Sequence, residues 1–340
     1  MDANIEHLIK GLTLDAMREQ HRQLRPHVVA TPSIGLDTPR LAPLLAGGAL
    51  FLKLENVQKT GTFKARGALS VALAIPQARR VAGITAASAG NHAIAAAWAA
   101  RHIGVSAKVV MMATANAYRV ARARDFGAEV IMIEGPAEAM ARAEQLAGDE
   151  GRTYIHPFEG PLTTLGAAGV GLELCEQVAG LDAVVVSVGG GGLVSGVAAA
   201  VKQLRPGCKV YGVEPEGACT MRLSLDAGRP VAIERVTTLA DSLGAPSAMP
   251  FSFGVCQRFV DKVVTVSDDE ICAGVVLYQE EAKLAVEPAA GAALAAALGP
   301  LRRDLAGLRT GIVVCGSNID AASYRKVLQR GEACVGALIS

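Results

Sequence analysis

Lys64 lies in the stretch VQKTGTFKARGA, residues 57–68, where a loop is predicted to turn into a helix. A helix N-terminus carries partial positive charge, which disfavours a protonated lysine by a few tenths of a kcal/mol or more. Burial among apolar neighbours such as Phe63 and Ala65 lowers a lysine pKa further. An uncharged amine attacks carbonyl groups and forms Schiff bases. We therefore predict a catalytic amine at Lys64, although an arbitrary lysine is usually a surface residue.

Four consecutive glycines follow a predicted buried strand in SVGGGGLVSG, residues 187–196. Such a run lets backbone N–H groups converge on an anion at the start of a helix. A tight packing turn would need only one or two glycines, so we predict a phosphate site. The run lacks the third glycine of the dinucleotide fingerprint, because Val194 or Ser195 holds that place. Glu214 ends the next predicted strand and keeps a nicotinamide dehydrogenase open as an alternative.

SAGNHA, residues 88–93, stands at a predicted strand-to-helix junction. Ser88 and Asn91 are ordinary capping residues and could serve only as caps. Alternatively, the hydroxyl, the amide and the helix-terminal N–H groups receive a substrate carboxylate. His92 alone indicates little. Cys315, in GIVVCGSNID, follows an apolar strand at the edge where open α/β sheets bind ligands, but a thiol there is usually a buried small hydrophobe.

The elements that would position these residues alternate between apolar runs and alanine-rich helical patterns from residue 81 onward, as βα units with a parallel sheet do. The strands predicted first are VAGITAAS, AKVVMMA and EVIMIEG, and the helices are NHAIAAAWAARHIG, NAYRVARARDFGA and one that Pro136 opens. DAVVVSV and KVYGVEP flank another helix, LVSGVAAAVKQLRPG. We expect an α/β protein whose two domains are each an open, mostly parallel sheet flanked by helices.

Composition favours a compact protein that binds small molecules. Of the 340 residues, 51% are hydrophobic and 19% charged, and 33 basic residues nearly balance 32 acidic ones. This balance argues against nucleic-acid or membrane partners. The seven cysteines form no CxxC pair, and the N-terminus lacks the order of a signal peptide. We expect a cytoplasmic protein.

A Schiff-base amine, a phosphate cradle and a carboxylate site together indicate a cofactor with an aldehyde and a phosphate, which is pyridoxal 5′-phosphate. At this point the sequence resembles the serine/threonine dehydratase family of fold type II, whose fold is tryptophan-synthase-β-like. The motifs that carry the resemblance occur in the family's order: TGTFKARGA, SAGNHA, YIHPFEGP, SVGGGGLVSGVA, YGVEPEG, VSDDEI, KLAVEPAAGAALAA and CGSNID.

The resemblance implies that residues 1–75 and 156–340 form a large cofactor-binding domain and residues 76–155 a small mobile one. It assigns the internal aldimine to Lys64, contact with the ring to Phe63, and a bond to the phenolic oxygen to Asn91. The pyridine nitrogen would meet Cys315. The phosphate would lie on Gly189, Gly190, Gly191, Gly192 and Leu193, and the substrate carboxylate on Ser88, Ala89, Gly90, Asn91 and His92.

The implied reaction is β-elimination from a β-hydroxy amino acid, with Lys64 as the base and a 2-oxo acid and ammonia as products. A thiol at the pyridine nitrogen disfavours a full carbanion and suits elimination. L-Threonine and L-serine are the default substrates, while 3-hydroxyaspartate, phenylserine and a hydroxyectoine-derived amino acid stay open. A β-replacement enzyme of the same fold and a catalytically silent amino-acid-binding protein are the remaining alternatives.

Several departures from the family pattern shape these expectations. Family racemases carry a second serine where Ala89 stands, so racemisation is not expected as the main activity. Glu214 lacks the acidic partner that relatives use for a divalent cation, so no metal is expected. The segments 163–171 and 238–246 differ from the sequences usual in the dehydratase family, and we expect them to line the substrate side chain. A homodimer is the family-level expectation. Residues 321–340 are too few for a regulatory domain, so feedback by isoleucine is not expected.

Overall fold

A computed structural model describes residues 2–88 and 90–340. Ala89, which is predicted for the substrate carboxylate, therefore lies outside the described residues. The strands are β1 Ser33–Leu36, β2 Ala49–Lys53, β3 Ile84–Ala87, β4 Ala107–Met112, β5 Glu129–Ile133, β6 Thr153–Tyr154, β7 Ala183–Ser187, β8 Lys209–Pro215, β9 Lys262–Val266 and β10 Arg309–Val313. The helices are α1 Ala3–Lys10, α2 Leu14–Leu24, α3 Lys64–Leu73, α4 Asn91–His102, α5 Ala117–Asp125, α6 Pro136–Glu150, α7 Pro161–Gln177, α8 Gly192–Leu204, α9 Thr220–Ala227, α10 Pro250–Phe259, α11 Asp268–Glu281, α12 Pro288–Leu298, α13 Ala321–Glu332 and α14 Val335–Ile339.

The larger sheet has six strands in the order β1-β2-β10-β7-β8-β9. Every pairing is parallel except that of β1 with β2. The central strand β7, AVVVS, is buried along its whole length, as expected for a parallel strand that helices cover on both faces. This arrangement places the loops after β7 and β10 at the same edge of the sheet.

The smaller sheet has four parallel strands in the order β5-β4-β3-β6. Helix α4 packs on β3 and β4 and buries Asn91–Ala100, where the small alanine side chains let the helix approach the sheet closely. The predicted βα units from residue 81 onward are confirmed as β3-α4-β4-α5-β5-α6. Strand β6 is an addition that the sequence patterns did not predict. The division into domains at residues 75/76 and 155/156 stays a prediction.

A network of buried charges joins β2, α3 and α7 beneath the larger sheet's edge. The Arg66 guanidinium donates to Glu55 at 2.8 and 2.9 Å and to Glu173 at 2.7 and 2.8 Å. The Lys53 ammonium donates to the same Glu173 at 2.6 Å. Two cations and two carboxylates thus balance one another, which is the condition for burying charge. Because Arg66 lies two residues after Lys64, the network fixes the helix that carries the predicted catalytic amine.

None of the helices in the described parts of the chain is long and apolar enough to cross a membrane.

Candidate active site

Lys64 is the first residue of α3, and backbone contacts hold it against the end of β10. Thr62 forms an isolated antiparallel bridge with Gly316, and the amide of Phe63 donates to the Cys315 carbonyl at 3.2 Å. The half-buried Lys64 ammonium donates to the Pro157 carbonyl and lies 5.0 Å from the centroid of the Phe63 ring. Burial lowers the pKa of Lys64 to about 8, against the opposing influence of Cys315 and Glu287. An amine with this pKa is partly neutral near physiological pH, as a nucleophile or base requires.

The glycine loop after β7 presents a row of unused amides. The N–H groups of Gly189–Leu193 donate to no acceptor among the described residues. Gly191 adopts a φ of +93°, which side chains rarely tolerate, and a Cβ on Gly192 would lie 2.8 Å from the backbone of Phe158. The expectation that packing needs only one or two of these glycines is wrong, because a Cβ on Gly190 would also lie 2.3 Å from the Phe158 ring. The free amides, rather than the number of glycines, indicate an anion site.

All nine residues predicted to bind the cofactor line one cavity. They are Phe63, Lys64, Asn91, Gly189, Gly190, Gly191, Gly192, Leu193 and Cys315. Cys315 is buried, and its burial raises the pKa of the thiol well above the ordinary value. The thiol is therefore neutral, so it would not hold a proton on a pyridine nitrogen as a carboxylate would.

The residues predicted for the substrate carboxylate lie at the start of α4. The Ser88 hydroxyl accepts the Gly90 amide at 3.1 Å, so Ser88 closes a turn before the helix. His92 is buried, and desolvation, followed by the nearby Lys64, lowers its pKa to about 3. Its neutral ring lies 2.7 Å from the Ile155 carbonyl through Nε2, which leaves the backbone amide as the group of His92 best placed for an anion.

Asn91 does not cap α4, and the capping interpretation is wrong for this residue. Its side-chain amide donates to both oxygens of Glu287, at 2.7 and 2.9 Å, and to the Ser242 hydroxyl at 3.2 Å. Its carbonyl oxygen accepts the Asn318 amide at 2.9 Å. Asn91 therefore connects the smaller sheet to groups on the larger one.

Arg119 lies beside the site and was missed by sequence reasoning, as was its pairing with Asp241 and Glu287. Arg119, on α5, donates to Asp241 at 2.6 Å, to Glu287 at 3.2 Å and to the Asn318 carbonyl at 3.0 Å. Its side chain also packs against Gly90, where an added Cβ would meet it at 2.8 Å. Burial raises the pKa of Glu287, while Arg119 and Asn91 oppose that shift. Glu287 and Asn318 belong to quoted motifs, but no signal in the sequence paired Arg119 with them.

The Glu214 carboxylate accepts hydrogen bonds from the protein backbone. Its two oxygens accept the amides of Met221 and Arg222, both at 2.8 Å, at the start of α9. Desolvation raises its pKa to about 8. In the described parts of the chain, no group of three or more histidine, cysteine or acidic side chains is arranged to hold a metal ion.

The donor set of the cavity fits pyridoxal phosphate. An amine of lowered pKa, a row of free amides at a helix start and a neutral buried thiol match its aldehyde, phosphate and pyridine nitrogen. Each of these three groups follows a strand of the larger sheet or begins the helix after one. The parallel strands therefore bring the three binding groups to one edge.

Comparisons with known proteins agree with this chemistry. Residues 24–316 match the family model described as pyridoxal-phosphate dependent enzyme. The chain is 46% identical over 318 residues to a phenylserine dehydratase from Ralstonia pickettii, which covers 94% of this chain and 97% of that one. It is 36% identical over 322 residues to an L-threonine ammonia-lyase from Thermotoga maritima, covering 94% and 79% of the two chains. The structure of maize serine racemase superposes with a TM-score of 0.86 at 32% identity, covering 93% and 98%. The chain thus belongs to the pyridoxal-phosphate-dependent enzymes of fold type II.

Proposed function

We propose that this enzyme dehydrates and deaminates an L-β-hydroxy amino acid whose β-substituent is apolar, with phenylserine preferred to threonine and serine. The β-hydroxyl leaves as water, one water is then consumed in hydrolysis, and the products are a 2-oxo acid and ammonia. The proposal rests on the lining of the cavity around Lys64. Among the described residues of that lining, Lys64 is the only lysine or arginine.

Lys64 has two roles in this proposal, since it holds the cofactor covalently and, once released by the substrate, takes the proton from Cα. Its pKa of about 8 suits a base that works near neutral pH. The cofactor, when bound, supplies an electron sink for the bond that breaks at Cα. Gly189–Leu193 would hold its phosphate through backbone amides, Asn91 its phenolic oxygen, and Cys315 its pyridine nitrogen. Phe63 would pack near its ring.

The start of α4 would bind the substrate carboxylate. The amides of Asn91 and His92 donate to no acceptor among the described residues, and the helix dipole favours an anion at this end. The Ser88 hydroxyl lies one residue beyond β3 and would add a further donor. Gly90 keeps the loop backbone open to the carboxylate and against Arg119.

A second substrate carboxylate would lack a cationic partner. Arg119 packs against Gly90 of the carboxylate loop, but it already pairs with Asp241 and Glu287. Burying a carboxylate without a partner costs far more free energy than burying an apolar group. This pairing disfavours 3-hydroxyaspartate and supports a substrate with an apolar β-substituent. The 46% identity to a phenylserine dehydratase supports the aryl member of that class.

The test is a panel of four substrates, L-phenylserine, L-threonine, L-serine and L-threo-3-hydroxyaspartate, assayed for release of 2-oxo acid and ammonia. We expect the highest kcat/KM with phenylserine and none above background with 3-hydroxyaspartate. The Lys64→Ala variant is the control and should release no product from any of the four. Efficient turnover of 3-hydroxyaspartate would contradict the proposal. So would product formation only when a nucleophile such as sulfide is added, since that outcome identifies a β-replacement enzyme.

A further inference from the structure

Ser242 stands on a short turn, residues 241–243, in the wall of the cofactor cavity, which it lines together with its neighbour Leu243. A Cβ on Gly189 would lie 3.1 Å from the Ser242 carbonyl oxygen and 3.2 Å from the Leu243 Cα, so the turn packs directly on the glycine loop. Ser242 belongs to the segment 238–246, which is predicted to line the substrate side chain, but no sequence pattern singles it out as a site residue.

Bonds other than those of the serine hydroxyl fix this turn. The Thr238 hydroxyl donates to Asp268 at 2.6 Å, and the Leu239 amide donates to the same carboxylate at 3.0 Å. The Leu243 amide closes the turn by donating to the Ala240 carbonyl at 2.8 Å. Removing the serine hydroxyl alone should therefore leave the backbone of the turn in place.

The Asn91 amide has more acceptors within reach than hydrogens to donate. Its Nδ2 carries two hydrogens and lies 2.7 and 2.9 Å from the two Glu287 oxygens and 3.2 Å from the Ser242 hydroxyl. Seen from one nitrogen, the two oxygens of a carboxylate lie in nearly the same direction, whereas the two hydrogens of an amide point well apart. One hydrogen therefore goes to Glu287 and the other to Ser242. The Asn318 amide donates to the Asn91 oxygen at 2.9 Å, which fixes the opposite end of the side chain.

The bond to Ser242 is the weakest of the three, because it is the longest and its acceptor is neutral. A charged acceptor in the cavity would therefore take this hydrogen before it broke a bond to Glu287. Ser242, Asn91 and Glu287 all line the cavity, so the hydrogen held by Ser242 lies at the cavity wall. Without the hydroxyl, only Glu287 would attract the amide nitrogen, and the second hydrogen would have no fixed direction.

We infer that Ser242 is a positioning residue that acts through Asn91, because its hydroxyl keeps one hydrogen of the Asn91 amide directed to the cavity, where the phenolic oxygen of the cofactor would receive it. The inference rests on the proposed function, in which Asn91 binds that oxygen. The hydroxyl suits this role, since its own hydrogen is directed at Asp241, 3.4 Å away, which leaves its lone pairs for Asn91.

The test is Ser242→Ala in the enzyme loaded with cofactor. A donor to the phenolic oxygen favours the ionised form of that oxygen. A misdirected Asn91 amide should therefore increase the share of bound cofactor that carries a proton there, which absorbs at the shorter of the cofactor's two characteristic wavelengths. The dissociation constant of the cofactor, measured by absorbance as the apoenzyme is reconstituted, should rise about fivefold. The control is Ser247→Ala, at a residue outside the described lining of the cavity, and it should change neither quantity. An unchanged spectrum and dissociation constant in Ser242→Ala would overturn the inference.

The Asn91→Ala variant shows whether the hydroxyl acts through the amide. In that background Ser242→Ala should raise the dissociation constant less than about twofold, because no amide remains to be oriented. The same loss in both backgrounds would identify a separate structural role and would overturn the inference, whatever reaction the enzyme catalyses. If the Asn91 variant fails to fold, the spectrum of Ser242→Ala alone decides the question. Should these expectations hold while the wild type releases no 2-oxo acid from any of the four amino acids, only the proposed function is overturned.

Discussion

Two buried arginines, Arg66 and Arg119, each pair with two carboxylates, but they do so in different settings. Arg66 and its partners Glu55 and Glu173 are all almost fully buried, and the network joins α3 to α7. Arg119 comes from the smaller sheet's helix α5 and reaches across to Asp241 and Glu287. The Asp241 side chain is 53% exposed, whereas Glu287 is buried. One arginine therefore belongs to a network that is buried throughout, and the other to a partly exposed network that joins α5 to groups near the larger sheet.

The two networks differ in their access to water, because the Arg66 network is buried throughout and the Arg119 network is partly exposed. Breaking the Arg66 network leaves two carboxylates in an interior that water cannot reach. Separating the two sheets would return Arg119 and Asp241 to solvent, which lowers the cost of the open state. The same motion would release Asn91 from Glu287, so opening and closing would also change the hydrogen bonds around the cofactor.

Arg66→Ala is expected to have the largest effect on stability. The free energy of unfolding should fall by about 3–5 kcal/mol, because Glu55 loses its ion-pair partner in the interior, while Glu173 still pairs with Lys53. Urea denaturation followed by circular dichroism measures the change. Arg22→Ala, which removes an exposed pair with Glu19, is the control and should cost less than about 0.5 kcal/mol. A decrease of less than about 1 kcal/mol in the free energy of unfolding of Arg66→Ala would show that the ion-pair network does not stabilise the fold as proposed.

Arg119→Ala should cost less stability than Arg66→Ala, about 1–3 kcal/mol, because one of its partners is half exposed. Its main effect should be on catalysis, since Arg119 favours the ionised form of Glu287, which accepts the Asn91 amide. Without Arg119 the pKa of Glu287 rises further, so the carboxyl binds a proton at a higher pH. We expect kcat/KM to fall about tenfold near neutral pH and to recover partly as the pH is raised. A pH profile parallel to that of the wild type would argue against this role.

Asp241→Asn should have the smallest effect of the three. Water and salt screen the partly exposed ion pair between Arg119 and Asp241. The loss of stability should therefore be about 0.2–1 kcal/mol and should shrink as salt is added. Thermal unfolding at low and high NaCl concentrations measures this dependence. Glu287→Gln is the matched control, because its buried position predicts a larger loss that salt changes little. If Asp241→Asn and Glu287→Gln lowered stability equally, the exposed and the buried ion pairs of Arg119 would contribute equally, contrary to this prediction.

The sequence predicted the parts of the site that local patterns encode. Lys64 at a helix start, the glycines after a buried strand and Asn91 at a strand-to-helix junction are each recognisable within about a dozen residues. The alternation of apolar runs with alanine-rich segments likewise predicted β3 to α6, although it did not predict the two-residue strand β6.

The contacts between the two sheets could not be predicted in the same way. Arg119 meets Asp241 and Glu287, which lie 122 and 168 residues further along the chain. No periodicity or spacing relates such distant positions, and an arginine on a helix is most often exposed. The close approach of Phe158 to the glycine loop was missed for the same reason, because it depends on how α7 and α8 pack.

The bridge between Thr62 and Gly316 affects how long the enzyme would retain its cofactor. It ties the segment just before Lys64 to the segment after β10 that contains Cys315, and the glycine loop follows β7, the neighbouring strand of the same sheet. Apart from Asn91, the proposed cofactor-binding residues thus follow strands of the larger sheet, while the proposed carboxylate site lies at the start of α4, beside the smaller sheet. Release of the product would then leave most of the proposed contacts with the cofactor intact. Prolonged dialysis should therefore remove bound amino acids long before it removes the cofactor.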